Sequence, residues 1–418
     1  MNNKFKNCHF IDTHFEPKSS CARMLVEDLV EEMIDYAFEQ KLRKRELKED
    51  NRNRYIRITG VILSNLFRKV NSHSSRNILL PVNHRGMERE VNYDPEFNNN
   101  NLNCILNLLS TDHLSYIIKE TIQYKNTGYA FYKNHITTID STDKLVKVFY
   151  ETELESTDFH NTRTKYIVLK EKRRDYHNSK KALPITNLDL FNMYNQQMGE
   201  MNDYISTSNI KYHGDPNQNI EQNSPLIRYF CGSLSEGGRT FGGFWQNLSK
   251  DKRKHIMINN ETCICLDYSQ LYPMMLYGYC NEYPINSDCY KIKGFEEFRL
   301  GIKKVMGSLL FRKTQMTRFP KHVKDLFPKK SKLGVVKKAI FQEHSRIAHY
   351  FDTEIGYKLQ FEESELCLRV FFELMKDNIL VLPIHDAFLV QKKFTMKLKE
   401  VMQECFKQKY GIGINVHE

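Results

Sequence analysis

Near its C-terminus the chain reads Ile379-Leu-Val-Leu-Pro-Ile384, then His385-Asp386, then Ala387-Phe-Leu-Val-Gln391. Two apolar runs separated by two polar residues are typical of a β-hairpin. Pro383 has no backbone N–H, so its strand is predicted to lie at a sheet edge or to be kinked there. The pattern therefore places Asp386 in the turn of a hairpin.

A second apolar run also ends in an aspartate. The stretch Glu261-Thr-Cys-Ile-Cys-Leu-Asp267 reads as a buried strand that gives way to a turn. Carboxylates at such positions suit magnesium, which takes one or two of them together with substrate phosphates. Two ions about 4 Å apart can activate a hydroxyl and stabilise a leaving oxygen in phosphoryl transfer. Asp267 and Asp386 are candidate metal ligands, although either one alone is better explained as an ordinary turn residue.

Two amphipathic helices are predicted in the same half of the chain, over 294–312 and over 362–376. Four residues of the first helix are spaced by four and line one stripe: Arg299, Lys303, Gly307 and Phe311. Two cations, a small residue and an aromatic ring would suit a triphosphate and a stacked base. The alternative is an exposed helix face with one incidental aromatic residue.

These segments resemble the motifs of right-hand polymerases. Asp267-Tyr-Ser-Gln-Leu-Tyr272-Pro is similar to motif A, with a start like that of family A (DNA polymerase I-like) enzymes and an end like that of family B. Arg299, Lys303 and Phe311 resemble motif B of family A. His385-Asp386 resembles motif C, together with Gln360 and the helix that follows Gln360. Gly237-Gly-Arg239 is similar to the Gly-Arg that precedes motif A, and the resemblance covers roughly 225–418.

The resemblance implies a role for each matching residue. Asp267 and Asp386 would hold two Mg²⁺ ions, or Mn²⁺ in their place, with help from the backbone carbonyl of Tyr268. Four residues would bind the nucleoside triphosphate: Arg299, Lys303, Phe311 and Tyr272. Tyr272 would also exclude the ribose 2′-hydroxyl, which favours deoxynucleotides. Three residues would contact the primer–template: Arg239, Gln360 and His385.

The chain departs from the family A pattern at three positions. Ala387 stands where an acid usually follows the His-Asp pair, and small residues there resemble the phage-type single-subunit RNA polymerases. Gly307 replaces the usual aromatic residue of the fingers helix, and Arg312 replaces a glycine. These departures bear on sugar selection and catalytic speed more than on the fold.

The predicted fold class is α+β, a right hand with an antiparallel palm sheet, helical fingers and a largely helical N-terminal thumb or accessory region. The predicted boundaries are 1–225 for the N-terminal region, 226–285 and 359–418 for the palm, and 286–358 for the fingers. Asp12-Thr-His-Phe-Glu16 lacks the acid spacing of a proofreading exonuclease, so we expect no such activity. Within the N-terminal region, composition predicts a loop over 81–103.

Charge and composition narrow the possible partners. The 418 residues carry a net charge of +11, which favours a polyanionic partner such as nucleic acid. The basic stretch 163–181 is either a phosphate-tracking surface or a solvated face. No apolar run approaches the roughly 20 residues of a membrane span. The N-terminus resembles no targeting signal, so a cytoplasmic location is expected. The ten cysteines are expected to be reduced thiols, with zinc not expected.

The function predicted from these features is primer-dependent DNA synthesis from deoxynucleoside triphosphates on primer–template DNA, with an RNA template left open. The nearer alternative is a phage-type RNA polymerase or a primase. The second alternative is a nucleic-acid-binding protein on a polymerase scaffold without turnover. Neither the biological pathway nor the oligomeric state follows from the sequence.

Overall fold

The computed structural model describes six stretches of the chain and divides into two compact units. The described residues are 8–71, 77–80, 99–124, 134–172, 182–214 and 224–418. The first unit comprises Met1–Lys165 and Gly214–Pro225, and the second comprises Tyr166–His213 and Leu226–Glu418. Both units combine helices with largely antiparallel sheets, which confirms the predicted α+β class.

Helices of the first unit surround an apolar core. Its described helices are α1 (Ser20–Glu39), α2 (Glu49–Asn71), α3 (Asn99–Leu109) and α4 (Asp143–Glu151). The hydroxyl of Ser19 accepts a hydrogen bond from the amide of Ala22 and so caps the start of α1. Acidic residues open α2, while Arg68 and Lys69 close it, an arrangement that complements the helix dipole.

Two small sheets complete the part of the first unit that the structure describes. Its strands are β1 (Cys8–Phe10), β2 (Phe15–Pro17), β3 (Asn77–Leu80), β4 (Ile117–Tyr124), β5 (Asn134–Ser141) and β6 (Phe159–Asn161). Four of them form a sheet in the order β1-β3-β5-β4, in which only β1 and β3 are parallel. The remaining two, β2 and β6, pair antiparallel. The N-terminal region thus contains sheets that the sequence patterns did not indicate.

The loop predicted over 81–103 is wrong at its C-terminal end. Residues 81–98 lie outside the described residues, but 99–103 form the first turns of α3. The buried side chains of α3 include Leu102, Ile105 and Leu109, which recur at helical spacing. The asparagines at the start of this helix obscured that apolar pattern.

Helices of the second unit agree with both helix predictions in their central parts. The described helices are α5 (Leu188–Ser206), α6 (Lys250–Arg253), α7 (Leu271–Tyr279), α8 (Arg299–Leu310), α9 (Leu333–Glu343), α10 (Gly356–Lys376) and α11 (Thr395–Tyr410). The helix predicted over 294–312 is α8, preceded by a 3₁₀ turn over Glu296–Phe298. The helix predicted over 362–376 is the C-terminal part of α10.

The sheet that carries both aspartates is antiparallel throughout. The strands of the second unit are β7 (Ile167–Lys170), β8 (Ile210–Tyr212), β9 (Ile227–Cys231), β10 (Ser233–Phe241), β11 (Ile256–Ile258), β12 (Glu261–Tyr268), β13 (Val381–Ile384), β14 (Ala387–Gln391) and β15 (Val416–His417). One sheet has the order β10-β9-β7. The other has the order β13-β14-β12-β11-β8, and β15 pairs with β12. The predicted hairpin is therefore confirmed, and β13 with Pro383 ends this sheet, as predicted.

Packing of α10 fixes the two sheets of the second unit near each other. This helix contacts β10 in one sheet and β13 in the other, and α11 contacts β12. The side chains of Leu359, Leu366 and Val370 on α10 are completely or almost completely buried. Burying such a side chain contributes roughly 1.5–3 kcal/mol, so this apolar face holds the framework on which the site is built.

Two further features concern cysteines and membranes. The nine cysteines whose side chains are described are free thiols. Among the described helices, none combines the length and the apolar character that crossing a membrane requires.

Candidate active site

Strand pairing brings Asp267 and Asp386 together. In the register of β12 and β14, Asp267 lies opposite Ala387, the residue after Asp386. The amide of Tyr268 donates a hydrogen bond to the backbone carbonyl of Asp386 at 3.3 Å. Asp386 sits in the two-residue turn between β13 and β14, where His385 adopts a left-handed conformation with φ of 59°. The two predicted carboxylates are thus neighbours on one end of the sheet.

Burial and neighbouring charges raise the pKa of both carboxyl groups. Burial and then the nearby Asp386 raise the pKa of Asp267 to about 7, while Lys303 and Lys250 act in the opposite direction. Burial and then Glu363 raise the pKa of Asp386. A carboxylate that is buried beside another acid is costly to ionise unless a cation neutralises it. The pair therefore forms a site in which added positive charge is strongly favoured.

The oxygen atoms of this pair fit a divalent cation. Oδ1 of Asp267 is buried and has no hydrogen-bond partner among the described residues. In the described parts of the chain, no three or more His, Cys, Asp and Glu side chains are grouped to hold a metal ion. Magnesium accepts such a pair when substrate phosphates complete its coordination. The donor set is therefore suited to a cation that binds together with its substrate.

Tyr268 is fixed beside this pair. Its ring is buried, and its hydroxyl donates to the backbone carbonyl of Met402 on α11 at 2.7 Å. Its backbone lies at the end of β12, opposite Val416 of β15. The role predicted for its carbonyl as a metal ligand stays a prediction.

Arg299 and Lys303 form a cationic stripe on α8, one turn apart. The Arg299 guanidinium lies 5.2 Å from the centre of the Tyr290 ring, and the Lys303 ammonium lies 5.7 Å from it. Arg299 also forms an ion pair with Asp288 at 2.6 Å. Lys303 is exposed and lowers the pKa of Asp267, so its charge acts on the acid pair. The two cations predicted for triphosphate binding thus both lie over the Tyr290 ring, and Lys303 also lies near the Asp267 carboxylate.

The end of α8 brings Phe311 next to Tyr272. The helix ends at Leu310, and the Phe311 ring centre lies 6.3 Å from that of Tyr272 and 5.4 Å from that of Tyr357. A Cβ atom added at Gly307 would meet nothing within 4 Å, so this part of the stripe borders open space. Arg299, Lys303 and Gly307 thus lie on the helix, whereas Phe311 follows its last residue, and the predicted role of the stripe stays a prediction.

Tyr272 lies in the first turn of α7, directly after β12. Gln270, two residues earlier, has φ of 56°, and this left-handed conformation turns the chain sharply from strand to helix. The Tyr272 oxygen accepts a hydrogen bond from Nη2 of Arg239 at 2.8 Å. Burial and then Glu363 hold the pKa of Tyr272 well above its usual range, so the hydroxyl stays protonated. This ring therefore has a fixed position between the acid pair and Phe311.

Arg239 on β10 is held by a glutamate that the sequence analysis missed. Its Nε and Nη2 donate to the two carboxylate oxygens of Glu363 at 2.8 and 2.7 Å. Glu363 lies on the buried face of α10, and its side chain is 2% exposed. A signal was available, because Glu363 occupies the position between Leu359 and Leu366 in the apolar stripe of this helix. A charged residue in such a stripe is rarely buried without a partner.

His385 and Gln360 lie at the edge of this cluster. Burial and then the charge of Arg239 lower the pKa of His385 to about 4, so its ring is neutral at neutral pH. Its Nδ1 has no hydrogen-bond partner among the described residues, and its ring meets the exposed ring of Phe241 edge-on at 5.0 Å. Gln360 is half-buried on α10, one turn before Glu363.

Two other residues near the pair were not predicted. Lys250 on the short α6 lowers the pKa of Asp267. Burial is the main cause of the raised pKa of Tyr290, and the charge of Asp386 raises it further. Neither residue stands in a pattern that would distinguish it from other lysines or tyrosines in the sequence. Both come near the aspartates only through tertiary packing.

The basic stretch 163–181 divides between described and undescribed residues. Residues 173–181 lie outside the described residues. Within the described part, the ammonium of Lys172 forms ion pairs with Glu236 at 2.6 Å and Glu354 at 3.1 Å. Lys170 lies over the ring of Tyr229 at 4.9 Å.

Neither the models of known protein families nor the curated protein sequences contain a match.

Proposed function

We propose that this chain is a primer-dependent DNA polymerase that adds deoxynucleotides to a primer 3′-hydroxyl. The observation that carries the proposal is the meeting of Asp267 and Asp386 across β12 and β14. They lie 119 residues apart in the sequence, and the pairing of β12 with β14 brings them together. An acid pair on an antiparallel sheet, faced by cations on a separate helix, is an arrangement suited to nucleotidyl transfer.

The reaction is attack of the primer 3′-oxygen on the α-phosphorus of a nucleoside triphosphate. A P–O bond forms to the primer, the P–O bond to the β-phosphate breaks, and pyrophosphate leaves. Asp267 and Asp386 would hold Mg²⁺ ions, which when bound supply positive charge to the attacking and leaving oxygens. The backbone carbonyl of Tyr268 is proposed to assist them.

The residues of this chain would mainly position the reactants and balance charge. Lys303 and Arg299 are proposed to hold the triphosphate and to neutralise the charge that develops on pyrophosphate. Phe311 would pack on the incoming base, and Tyr272 would occupy the space that a ribose 2′-hydroxyl needs. His385, which is neutral at neutral pH, and Gln360 would contact the primer–template without adding charge.

In this proposal the second unit supplies both the palm and the fingers. The sheet of β12, β13 and β14 with α10 would be the palm, and 286–358 with α8 would be the fingers. The N-terminal region would serve as thumb or accessory surface. The net charge of +11 supports binding to a polyanionic partner.

The test is a primer-extension assay with the purified full chain. Primed DNA and primed RNA templates would be offered with deoxynucleotides or ribonucleotides, with Mg²⁺, with Mn²⁺ or with EDTA. We expect extension of primed DNA by deoxynucleotides that depends on the metal ion. Ribonucleotide incorporation without a primer would instead favour the RNA polymerase or primase alternative. Magnesium-independent DNA binding with no extension under any condition would favour the non-catalytic alternative and refute the proposal.

A further inference from the structure

The hydroxyl group of Tyr272 is the end of a short polar chain that links three elements. Arg239 on β10 donates from Nη2 to the Tyr272 oxygen at 2.8 Å. The same guanidinium donates twice to the carboxylate of Glu363 on α10, at 2.8 and 2.7 Å. Tyr272 itself belongs to α7. The position of one ring is thus fixed by groups from β10 and α10.

A close approach of two backbones makes this contact possible. Gly238 precedes Arg239 and has φ of 80°. A Cβ atom at this position would lie 2.8 Å from Oγ of Ser364, the residue after Glu363. Only glycine adopts this conformation easily and leaves this space. The sequence therefore brings β10 close to α10 directly beside the Arg239–Glu363 pair.

The Arg239–Glu363 ion pair is better explained as a means of positioning Arg239 than as a source of stability. Glu363 is almost completely buried and Arg239 is largely covered, and such ion pairs often contribute little more than apolar residues of the same size. What they supply is a fixed geometry, because a bidentate pair holds the guanidinium plane in one orientation. The Nη2 atom that donates to Glu363 also donates to the Tyr272 oxygen. Glu363 raises the pKa of Asp386 and Arg239 lowers it. These hydrogen-bonded side chains therefore lie beside the Asp267–Asp386 pair.

The geometry points to Arg239 and Glu363 as positioning residues that set sugar selection by holding the Tyr272 ring through its hydroxyl. Exclusion of a ribose 2′-hydroxyl then depends on the Tyr272 oxygen as well as on the bulk of the ring. This inference rests on the proposed function. It gives Arg239 an internal role, whereas the family resemblance implies a contact with the primer–template.

Removing the Tyr272 hydroxyl distinguishes the effect of ring size from the effect of the hydrogen bond that holds the ring. Phenylalanine at position 272 keeps the ring but loses the hydrogen bond from Arg239, so the ring becomes free to adopt other rotamers. Glu363→Gln keeps the shape of the side chain but removes the charge that orients Arg239. Both changes leave Asp267 and Asp386 in place. The ratio of deoxynucleotide to ribonucleotide use should therefore fall in both variants, whatever the change in absolute rate.

The experiment compares kcat/KM for one deoxynucleotide and the matching ribonucleotide on a primed DNA template with Mg²⁺. The proteins are the wild type, Tyr272→Phe, Tyr272→Ala, Glu363→Gln and the double variant Tyr272→Phe/Glu363→Gln. The control is Glu373→Gln, a change on the same helix at a partly exposed residue paired with Lys376. Thermal melting of each protein verifies that it is folded.

We expect Tyr272→Phe and Glu363→Gln each to lower the ratio of the two kcat/KM values about tenfold. This corresponds to about 1.4 kcal/mol. The double variant should lose no more than either single variant, because both changes break the same chain of contacts. Tyr272→Ala should lose more, and Glu373→Gln should keep the wild-type preference. A merely structural role for the pair would lower melting temperature and kcat without changing this ratio.

Two failures can be told apart. A wild-type protein that extends no primer refutes the proposed function, and the inference with it. A wild-type protein that extends primers, with a Tyr272→Phe variant that keeps the full preference, refutes the inference alone. Additive losses in the double variant would also overturn it. If Glu363→Gln does not fold, Tyr272→Phe still decides the question.

Discussion

The amide of Tyr268 donates to the carbonyl of Asp386 at 3.3 Å, and this bond joins the residue after the first aspartate to the second aspartate itself. The hydrogen-bond ladder of the sheet, and not side-chain contacts, therefore determines the separation of the two carboxylates. Substituting either side chain should leave the backbone arrangement intact. Because the backbone holds the site and the side chains carry its charge, single side-chain substitutions can test the site.

Replacing Asp267 or Asp386 with asparagine should abolish primer extension. The change keeps the shape but removes the negative charge that would hold a cation, and a loss of several kcal/mol corresponds to roughly a thousandfold or more in rate. DNA binding, measured by fluorescence anisotropy, should stay within a few-fold of wild type. Asp251→Asn is the matched control, because Asp251 is highly exposed and paired only with Lys254 in the described contacts. Full activity of Asp267→Asn would exclude the metal assignment.

The contribution of Asp267 to stability without metal should fall as the pH rises from about 4 to about 7, whereas His385, whose pKa is lowered to about 4, contributes in the opposite direction. The pKa of Asp267 is raised from its ordinary value of 3.8 to about 7, so the folded protein holds a proton that the unfolded chain releases in this range. At this group the folded state then binds more protons than the unfolded state, so its contribution to the free energy of unfolding decreases with pH. The measurement is urea unfolding of the wild type and of Asp267→Asn in EDTA at pH 4 and pH 8.

The Asp267→Asn variant is the control for this pH dependence. It should unfold at a higher urea concentration than the wild type at pH 8, and the two should differ little near pH 4. Adding Mg²⁺ at pH 8 should stabilise the wild type and not the variant, because only the wild type binds the ion in its folded state. Equal pH dependence in the two proteins would contradict the electrostatic description of the pair.

Lys303→Ala should weaken the use of nucleotides by roughly ten- to a hundredfold in kcat/KM, mainly through KM. Because Lys303 lowers the pKa of Asp267, its removal should also shift the acidic limb of the pH–rate profile to higher pH. The matched control is Lys304→Ala, a change at the next exposed position of α8. An unshifted profile with a normal KM would show that Lys303 only solubilises the helix.

Two glycines of α8 should respond in opposite ways to alanine. Gly307→Ala adds a methyl group that meets nothing within 4 Å, so it should stabilise the protein by about 0.5–1 kcal/mol through helix propensity. Gly301→Ala would place a Cβ atom 2.6 Å from the Phe327 ring and should destabilise it by roughly 1–3 kcal/mol. Thermal melting of both variants measures the difference. Equal effects would mean that α8 packs differently from this description.

Local patterns in the sequence predicted the framework of the site but not its surroundings. The hairpin around Asp386 and the strand ending at Asp267 follow from short apolar runs and their turn residues, which act over a few positions. The pairing of β12 with β14 was expected only through the resemblance to a polymerase family. Whether the chain belongs to that family stays a prediction.

Features that depend on distant residues were not predicted. The parallel pairing of β7 with β9 joins segments far apart in the sequence, and no local pattern encodes it. The role of Glu363 became visible only when Gly238 brought β10 next to α10. The Asn-rich start of α3 was mistaken for a loop because composition outweighed the spacing of the leucines that follow.

The short strand β15 has a practical consequence for anyone who engineers this chain. It pairs with Asp267 and Tyr268, and its His417 meets Ser269 through a hydrogen bond between Nδ1 and Oγ at 2.9 Å. Trimming the last three residues would strip β12 of its neighbour at the position of the first aspartate. A purification tag attached directly after Glu418 would crowd the same corner.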